Sequence, residues 1–251
     1  EKLNVLNSNA RWDFYTLVAK EVYARTSDSK LWGDNPNFKE IRKLCKKAIM
    51  TSLYNSEAKP SEFFGKDTKE LQEFYNVLDE VVPGAMKLKS YINSLWSDKV
   101  LANSWYLPDG HYAHCPVMVQ DKKRIEIKEM KGGTATMTVV CDVNKASNEP
   151  HRSLTPNVVH SIDAVVMRWV VEILNDQGIQ VSPIHDSFGV HAEHCDALRE
   201  AYRKCLARLY KENILNSILK QIQPDAEFEL PEYSEEVYQA IRGNTEGYYI
   251  C

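Results

Sequence analysis

Residues 41–54 read IRKLCKKAIMTSLY, and this stretch predicts an amphipathic helix with two different stripes. Each residue of an α-helix turns the chain by about 100°, so the apolar side is formed by Ile41, Leu44, Cys45, Ala48 and Ile49. The neighbouring stripe follows a four-residue spacing through Arg42, Lys46, Met50 and Tyr54. A guanidinium fork and an ammonium one turn apart can share the oxygens of a triphosphate. An ordinary helix with a solvated basic face has the same periodicity, so the pattern alone leaves both readings open.

Helical periodicity continues on both sides of this segment. The helix that contains residues 41–54 is predicted to extend over 38–54. The other predicted helices cover about 11–25, 68–82, 86–100, 157–174 and 196–219. Turn-forming residues at 33–36 separate the first two helices, and Pro83-Gly84 is predicted to stop the third. The first half of the chain is therefore expected to be mainly helical.

Two β-hairpins are predicted in the second half. β-Branched and alternating residues at 124–131 and 134–143 flank Gly132-Gly133, which is a strong turn signal. The second hairpin would pair 180–184 with 188–192 and place His185, Asp186 and Ser187 at its bend, although Pro183 weakens pairing in the first arm. A carboxylate at such a bend can reach a metal ion, but Asp is also common in turns for purely local reasons.

Composition limits the class of protein. With 251 residues and 43% hydrophobic content, the chain can form one large globular domain or two small ones. Its net charge of −4 argues against a surface that binds nucleic acid everywhere, so such contact would be confined to local basic segments at 39–47 and 122–131. The six scattered cysteines indicate reduced thiols, and no apolar run is long enough for a membrane span. We therefore expect a soluble cytoplasmic protein.

The order of residue types in the cationic helix resembles the fingers-helix motif of the bacteriophage-type and mitochondrial single-subunit RNA polymerases. The matching residues are Arg42, Lys46, Met50-Thr51 and Tyr54. The resemblance implies that Arg42 and Lys46 bind the triphosphate and that Tyr54 helps to select the ribose 2′-hydroxyl. The family follows this Tyr with Gly, whereas this chain has Asn55, a residue that also tolerates left-handed backbone conformations.

The segment IHDSFG at 184–189 is similar to the palm motif of the same family. The resemblance implies that Asp186 binds catalytic Mg²⁺ and that His185 lies beside the growing end, so Asp186, Lys46 and His185 become the candidate catalytic residues. Phosphoryl transfer of this kind uses two divalent ions held by bridging carboxylates. Ser187 stands where the related DNA polymerases usually have a second carboxylate, which favours RNA synthesis over the alternative of a DNA polymerase.

A third match is TPNVVHSIDA at 155–164, which resembles the family's segment just before the palm hairpin. The residues that fit are Asn157, His160, Ser161 and Asp163. The resemblance implies that His160 contacts the minor-groove side of the new base pair. A lone histidine on a helix is otherwise usually a structural residue.

Together, these matches imply an α+β fold with mainly helical fingers and an antiparallel palm hairpin, as part of a right-hand polymerase core. Residues 1–100 would form the fingers-like region, and 101–251 the palm with a specificity-type hairpin at about 122–143 and a carboxyl-terminal segment. Residues 4–24 resemble the helix after the family's first palm motif, and the aromatic ending at 248–251 is expected near the active site.

The implied partners are a DNA template, the RNA product and ribonucleoside triphosphates, with Mg²⁺ as cofactor and no membrane. The family's first palm Asp and its amino-terminal promoter-binding domain have no counterpart in these residues. We expect a second polypeptide to carry both, or an upstream segment to supply the Asp. The expected location is the cytoplasm of an infected bacterial host, with a virion or a mitochondrion as alternatives.

A zinc-binding interaction module is the alternative from a different class. The pattern H-x-x-H-C occurs twice, at His111, His114 and Cys115 and again at His191, His194 and Cys195. Adjacent His and Cys residues rarely both bind one ion, which weighs against this reading.

Overall fold

The computed structural model of the chain describes residues 13–33, 37–97, 99–130, 133–146, 153–184 and 186–243. The fold of these residues is α+β and mainly helical. The helices are α1 Phe14–Arg25, α2 Phe38–Leu53, α3 Ala58–Phe64, α4 Lys69–Val81, α5 Pro83–Ser94, α6 Leu154–Asn175, α7 Cys195–Lys211, α8 Ile214–Ile222 and α9 Glu235–Arg242. The strands are β1 Ala102–Tyr106, β2 Tyr112–Pro116, β3 Met118–Met130, β4 Gly133–Ala146, β5 Val181–Ile184 and β6 Ser187–Val190.

The helix that carries the cationic stripe has the orientation that its sequence predicts. Its first turn is capped by Asn37, whose side chain accepts a hydrogen bond from the backbone N–H of Lys39. The apolar side is buried, with Ile41, Cys45, Ala48 and Ile49 almost inaccessible to solvent. Met50 and Tyr54 of the neighbouring stripe are instead 43% and 44% exposed. The two-stripe interpretation of 41–54 is therefore confirmed at the level of packing.

The end of α2 is a Schellman motif that is built around Asn55. Asn55 has a φ of 68°, and the N–H of Ser56 donates to the carbonyl of Thr51 at 2.9 Å. This is the left-handed position that most helices fill with glycine. The Asn55 amide also exchanges two hydrogen bonds with Asn93 of α5, at 3.1 and 3.0 Å. Asn55 thus replaces the conformational freedom of glycine with side-chain hydrogen bonds to a neighbouring helix.

Buried apolar residues form two clusters. The first fills the space between α1, α2, α3 and α4 and contains Trp32, Phe64 and Phe74. The second surrounds α6 and takes residues from α5, α7, α8 and the β1–β2 hairpin, including Trp105 and Trp169. α5 lies between the clusters, because Met86 packs against the first and Ile92 belongs to the second. The predicted division at residue 100 stays a prediction.

Within the described ranges, the strands pair as three separate antiparallel hairpins. β3–β4 confirms the hairpin predicted around Gly132-Gly133 and is longer than expected, with Ile125 opposite Met137. β5–β6 confirms the second predicted hairpin, since Pro183 pairs with Phe188 and Ile184 with Ser187. This register places Ser187 in β6, so the prediction that Ser187 lies at the bend was wrong. Pro183 is accommodated because a two-stranded hairpin gives each strand a free edge.

Several predicted boundaries were wrong. α4 ends at Val81, which confirms the predicted stop before Pro83, but α5 begins at Pro83 itself instead of at residue 86. Proline suits this first turn because the N–H groups there have no partner within the helix. α5 ends at Ser94 rather than near residue 100, and the long helix predicted over 196–219 is divided into α7 and α8 by Asn213, which caps α8. The β1–β2 hairpin, α3 and α9 were not predicted.

No helix in the described ranges combines the length and the apolar character that crossing a membrane requires.

Candidate active site

The guanidinium of Arg42 is held by the start of α1. Its Nε donates to Asp13 Oδ2 at 2.8 Å and to Thr16 Oγ1 at 2.9 Å, and its Nη2 lies 2.7 Å from the same Asp13 oxygen. Burial works to raise the pKa of Asp13, but hydrogen bonds from Thr16 and Arg42 outweigh it and lower the pKa overall. Arg42 is therefore oriented by a charge-assisted pair while about a third of its side chain, 36%, remains exposed.

Tyr15 of α1 lies beside the whole cationic stripe. Lys46 Nζ is 5.0 Å from the centre of the Tyr15 ring, and Arg42 Cζ is 5.9 Å from it. Both distances fall within the range of cation–π attraction. Burial raises the pKa of Tyr15, and the nearby Tyr54 raises it further while Arg42 acts in the opposite direction. Tyr15 thus stands close to Arg42, Lys46 and Tyr54 at the same time.

The exposed end of the stripe meets α6. The ring of Tyr54 lies 4.9 Å from the imidazole of His160, centre to centre, with the two planes inclined by 59°. Both side chains are exposed to solvent. Residues that are far apart in the sequence and belong to different motifs are therefore brought into direct contact.

Asp163 lies on α6 one helical turn after His160, within electrostatic range of Asp186 at the bend of β5–β6. Partial burial raises the pKa of Asp163, and the negative charge of Asp186 raises it further, while His160 opposes the shift. Burial likewise raises the pKa of Tyr202 on α7, with added contributions from Asp163 and Asp186. Asp186 itself is exposed. Two carboxylates therefore share one electrostatic environment at the bend of β5–β6.

The predicted site residues Arg42, Lys46, Tyr54 and His160 form one continuous group through Tyr15 and the Tyr54–His160 contact. Asp186 is linked to that group through Asp163. His185 lies outside the described residues, as do residues 248–251 and the first part of the 4–24 segment.

Sequence reasoning assigned no role to Asp13, Tyr15 or Asp163. The three-residue spacing from His160 to Asp163 could have indicated that they share a face of α6. Asp13 and Tyr15 carried no such signal, because their partners lie on another helix.

The described residues contain no group of three or more His, Cys, Asp or Glu side chains that could hold a metal ion. Cys115 is fully buried, and its sulfur contacts Ser153 and Asn157 instead of joining His111 and His114. Glu193 lies between His191 and His194. Its Oε1 is 3.6 Å from His191 Nδ1 and 3.4 Å from His194 Nε2. Neither H-x-x-H-C pattern is thus arranged as a three-ligand site within this part of the chain.

Comparison with known proteins decides the family. A sequence model described as DNA-dependent RNA polymerase matches residues 61–246. The chain belongs to the phage-type DNA-dependent RNA polymerase family. The matched range includes α6, both of its flanking hairpins and Asp186, and it begins after the cationic helix.

The relatives of this polymerase-family chain include organellar enzymes. A mitochondrial DNA-directed RNA polymerase of Schizosaccharomyces pombe is 24% identical over 109 residues, which cover 42% of this chain and 9% of that protein. A chloroplastic DNA-directed RNA polymerase of Nicotiana sylvestris is 35% identical over 68 residues, 27% of this chain and 7% of the relative. A probable DNA-directed RNA polymerase of Gelasinospora is 27% identical over 104 residues, 40% of this chain and 12% of the relative. The chain thus aligns with a small part of each relative's length.

Proposed function

We propose that this chain forms the nucleotide-binding and palm part of a DNA-directed RNA polymerase, with the arrangement of a right-hand core. It would add ribonucleotides from ribonucleoside triphosphates to an RNA 3′ end under the direction of a DNA template. Family membership supports the reaction class, and the names of the relatives support RNA over DNA as the product.

The observation that carries the proposal is that α6 joins two separate motifs. His160 on this helix touches Tyr54 at the end of the cationic stripe. Asp163, one turn later, is close enough to Asp186 for the charge of one carboxylate to shift the pKa of the other. α6 would therefore lie between two parts of one site. The triphosphate would bind to Arg42 and Lys46 at one part, and the reacting phosphate would lie near Asp186 at the other.

Each side chain has a role that follows from its chemistry. Arg42 and Lys46 would bind the triphosphate and stabilise the negative charge that grows on the leaving pyrophosphate. Tyr54 would contact the ribose. His160, which touches Tyr54, would contact the minor-groove side of the new base pair. We propose that His185 lies beside the growing end, as the resemblance implies. Since Asp13 already binds Arg42, the incoming phosphate would have to share or replace that hydrogen bond.

The carboxylates suit Mg²⁺, because this ion prefers oxygen ligands and is commonly held by one or two carboxylates with phosphate and water. Asp186 would be the principal ligand, with Asp163 nearby to add negative charge. When bound, Mg²⁺ would supply the positive charge that activates the attacking 3′-hydroxyl and neutralises the leaving phosphate. The remaining carboxylate of a two-ion site is proposed to come from outside these residues, from a second polypeptide or another segment.

The location of the polymerase is also a proposal. The mitochondrial and chloroplastic names of the relatives support the mitochondrial alternative. The bacterial host cytoplasm stays a prediction of the sequence resemblance.

The direct test is Asp186→Asn in the polymerase that contains this chain. The amide keeps the shape of the side chain and loses the charge that holds Mg²⁺. We expect RNA extension on a primed DNA template to fall by at least about a thousandfold, as for other charged groups that act at the reacting atoms. Binding of the primed template, measured by fluorescence anisotropy, should change little.

Asp196→Asn is the matched control, because this carboxylate on α7 is 96% exposed and pairs only with Arg199 of its own helix among the described ion pairs. Its extension rate should equal that of the wild type. Turnover of Asp186→Asn at the wild-type rate would overturn the proposed role of the β5–β6 bend.

A further inference from the structure

The β1–β2 hairpin presents aromatic side chains to solvent on its outer face. Trp105 and Leu107 point inward and are almost fully buried, whereas Tyr106 is 62% exposed and Tyr112 is 49% exposed. These two tyrosines are cross-strand partners, and their ring centres lie 5.2 Å apart. His114 continues the row, with its ring 6.2 Å from Tyr112 and nearly parallel to it at 29°. This outer row, Tyr106, Tyr112 and His114, is called the aromatic face below.

The aromatic face is held rigidly. Gln221 of α8 accepts a hydrogen bond from the N–H of Tyr106 at 2.8 Å and donates to its carbonyl at 3.0 Å, so its amide continues the hydrogen-bonding pattern of β1. At the tip of the hairpin, Asp109 forms an ion pair with Arg168 of α6 and accepts from the N–H of His111. The hydrogen bond from Arg168 is the main reason that the pKa of Asp109 is lowered. The turn end of the hairpin, which carries Tyr106 and Tyr112, is therefore attached to two helices.

A cavity of about 310 Å³ lies between this hairpin and α6. Its walls include His111, Tyr112 and His114 from the hairpin and Asn157 and His160 from α6. His160 is the residue that touches Tyr54. The cavity thus shares His160 with the candidate active site and shares Tyr112 and His114 with the aromatic face.

One residue in the wall of the cavity has a hydrogen-bond donor without an acceptor in the described structure. This residue is Arg168, and its Nη2 is buried without a hydrogen-bond partner there. A buried donor left without an acceptor costs about 1–3 kcal/mol. The accessible polar side chains of the wall are His111, His114, Asn157 and His160. Histidine and asparagine side chains can donate hydrogen bonds, so the wall favours a flat polar ligand with acceptors over an aliphatic one.

We infer that the aromatic face and this cavity form a binding surface for unpaired nucleotides of a nucleic acid strand next to the reaction site. Unpaired bases expose flat π-surfaces, which stack on tyrosine and histidine rings, and they carry acceptors for the hydrogen bonds that the histidines and Asn157 can donate. A rigid platform loses little conformational freedom when a base stacks on it. The inference rests on the proposed function for the identity of the neighbouring site, but the binding surface can be tested without any nucleotide transfer.

The first experiment measures binding of the purified full chain to fluorescently labelled oligouridine RNA, oligothymidine DNA and a DNA duplex of matched length. Stacking contributes about 1–3 kcal/mol per base. The variant Tyr106→Ala/Tyr112→Ala should therefore bind single strands about 5- to 100-fold more weakly. Tyr106→Phe/Tyr112→Phe keeps both rings and should bind within about twofold of the wild type. A preference of the wild type for RNA or for DNA identifies which strand the surface takes.

Tyr233→Ala is the matched control, because Tyr233 is 46% exposed and lies in a tyrosine cluster with Tyr210 and Tyr238 away from this cavity. Its affinity for single strands should be unchanged. Equal loss of duplex and single-strand binding in the double alanine variant would mean that the tyrosines do not act by stacking on unpaired bases, and it would overturn the inference. Unchanged single-strand binding in that variant, or no binding by the wild type, would also overturn it.

A second measurement needs no variant and covers the case in which the alanine variant fails to fold. Oligouridine that contains 4-thiouridine is cross-linked to the wild-type chain by ultraviolet light, and the modified peptides are identified by mass spectrometry. We expect cross-links within residues 102–116. Cross-links found only elsewhere would overturn the inference. Asp186→Asn should give the same cross-links, so failure of the proposed reaction and failure of this surface remain distinguishable.

Discussion

Tyr54 and His160 contact each other ring to ring across the junction between α2 and α6, with their centres 4.9 Å apart. The contact joins a residue predicted to select the sugar with one predicted to read the new base pair. Both are exposed, so the pair lines an open surface where a nucleotide can approach. This junction also makes the roles of the two residues experimentally separable.

Replacing Tyr54 with Phe should retain elongation and relax the choice of sugar. The phenyl ring keeps the contact with His160 and loses only the hydroxyl. Because a single hydrogen bond contributes about 0.5–1.5 kcal/mol, discrimination against deoxyribonucleotides should fall by about 2- to 10-fold. The measurement is the ratio of kcat/KM for ATP and dATP in primer extension. His160→Ala provides the comparison, since it removes the ring contact and leaves the hydroxyl in place. An unchanged ratio for Tyr54→Phe would show that the hydroxyl does not select the sugar.

Tyr15→Leu should weaken nucleotide binding without greatly slowing the reaction. The change removes the ring that Lys46 Nζ approaches at 5.0 Å, a contact expected to contribute about 0.5–1 kcal/mol at an exposed site. The KM for ribonucleoside triphosphates should rise about two- to fivefold with kcat nearly constant, and Tyr15→Phe should behave like the wild type.

Tyr238→Leu is the control for this change, because it removes a similar cation–π contact elsewhere in the chain. There, Lys211 Nζ of α7 lies 5.7 Å from the centre of the Tyr238 ring of α9. It should leave KM unchanged. A fall in kcat of Tyr15→Leu with constant KM would contradict a role in positioning Lys46.

Asn55→Gly should destabilise the chain although glycine is the residue that usually occupies this backbone conformation. Glycine keeps the left-handed φ of 68° and loses both hydrogen bonds to Asn93. We expect a loss of about 1–2 kcal/mol in the free energy of unfolding from chemical denaturation, and a larger loss for Asn55→Ala, which adds backbone strain.

Asp67→Gly is the matched control for Asn55→Gly, because it also places glycine at a position with positive φ. Asp67 is exposed and also has a positive φ, 59°, so glycine there should be neutral or stabilising by up to about 1 kcal/mol. If Asn55→Gly were equally harmless, the Asn55–Asn93 pair would have no part in holding α2 against α5.

Glu200 should make the stability of the second cluster sensitive to acid. Burial acts to raise the pKa of Glu200, but hydrogen bonds from Arg203, Arg242 and Lys204 outweigh it and lower the pKa from 4.5 to about 2. A lowered pKa in the folded state means that stabilisation is present above pH 4.5 and is lost as the pH falls toward 2. Glu200→Gln should therefore be less stable than the wild type at pH 7, by about 1 kcal/mol because the carboxylate is partly screened by solvent.

The measurement is the free energy of unfolding of both proteins from neutral to acidic pH. The difference between them should shrink as the pH falls below the ordinary range of glutamate. A difference that stays constant with pH would mean that Glu200 acts through packing instead of through its charge.

Much of the local structure could be predicted because it depends on short-range chemistry. The apolar side of α2 follows from residues three and four apart, which lie on one face of any helix. The β5–β6 bend follows from turn-forming residues between two apolar arms. Errors arose where local signals are ambiguous. Pro83 can end one helix or begin the next, and Asn213 is compatible with the interior of a helix as well as with a cap.

The sequence by itself determined which side chains are available for chemistry: two cations and a phenol on one helical stripe, a histidine and an aspartate one turn apart, and an aspartate at a hairpin bend. Only the tertiary structure decided that Tyr54 touches His160, that Asp163 lies near Asp186, and that Asp13 and Tyr15 orient the cations. The physical reason is that these contacts join different helices and hairpins. Their geometry is set by how the two buried clusters pack around α5 and α6, and no periodicity along the chain encodes it.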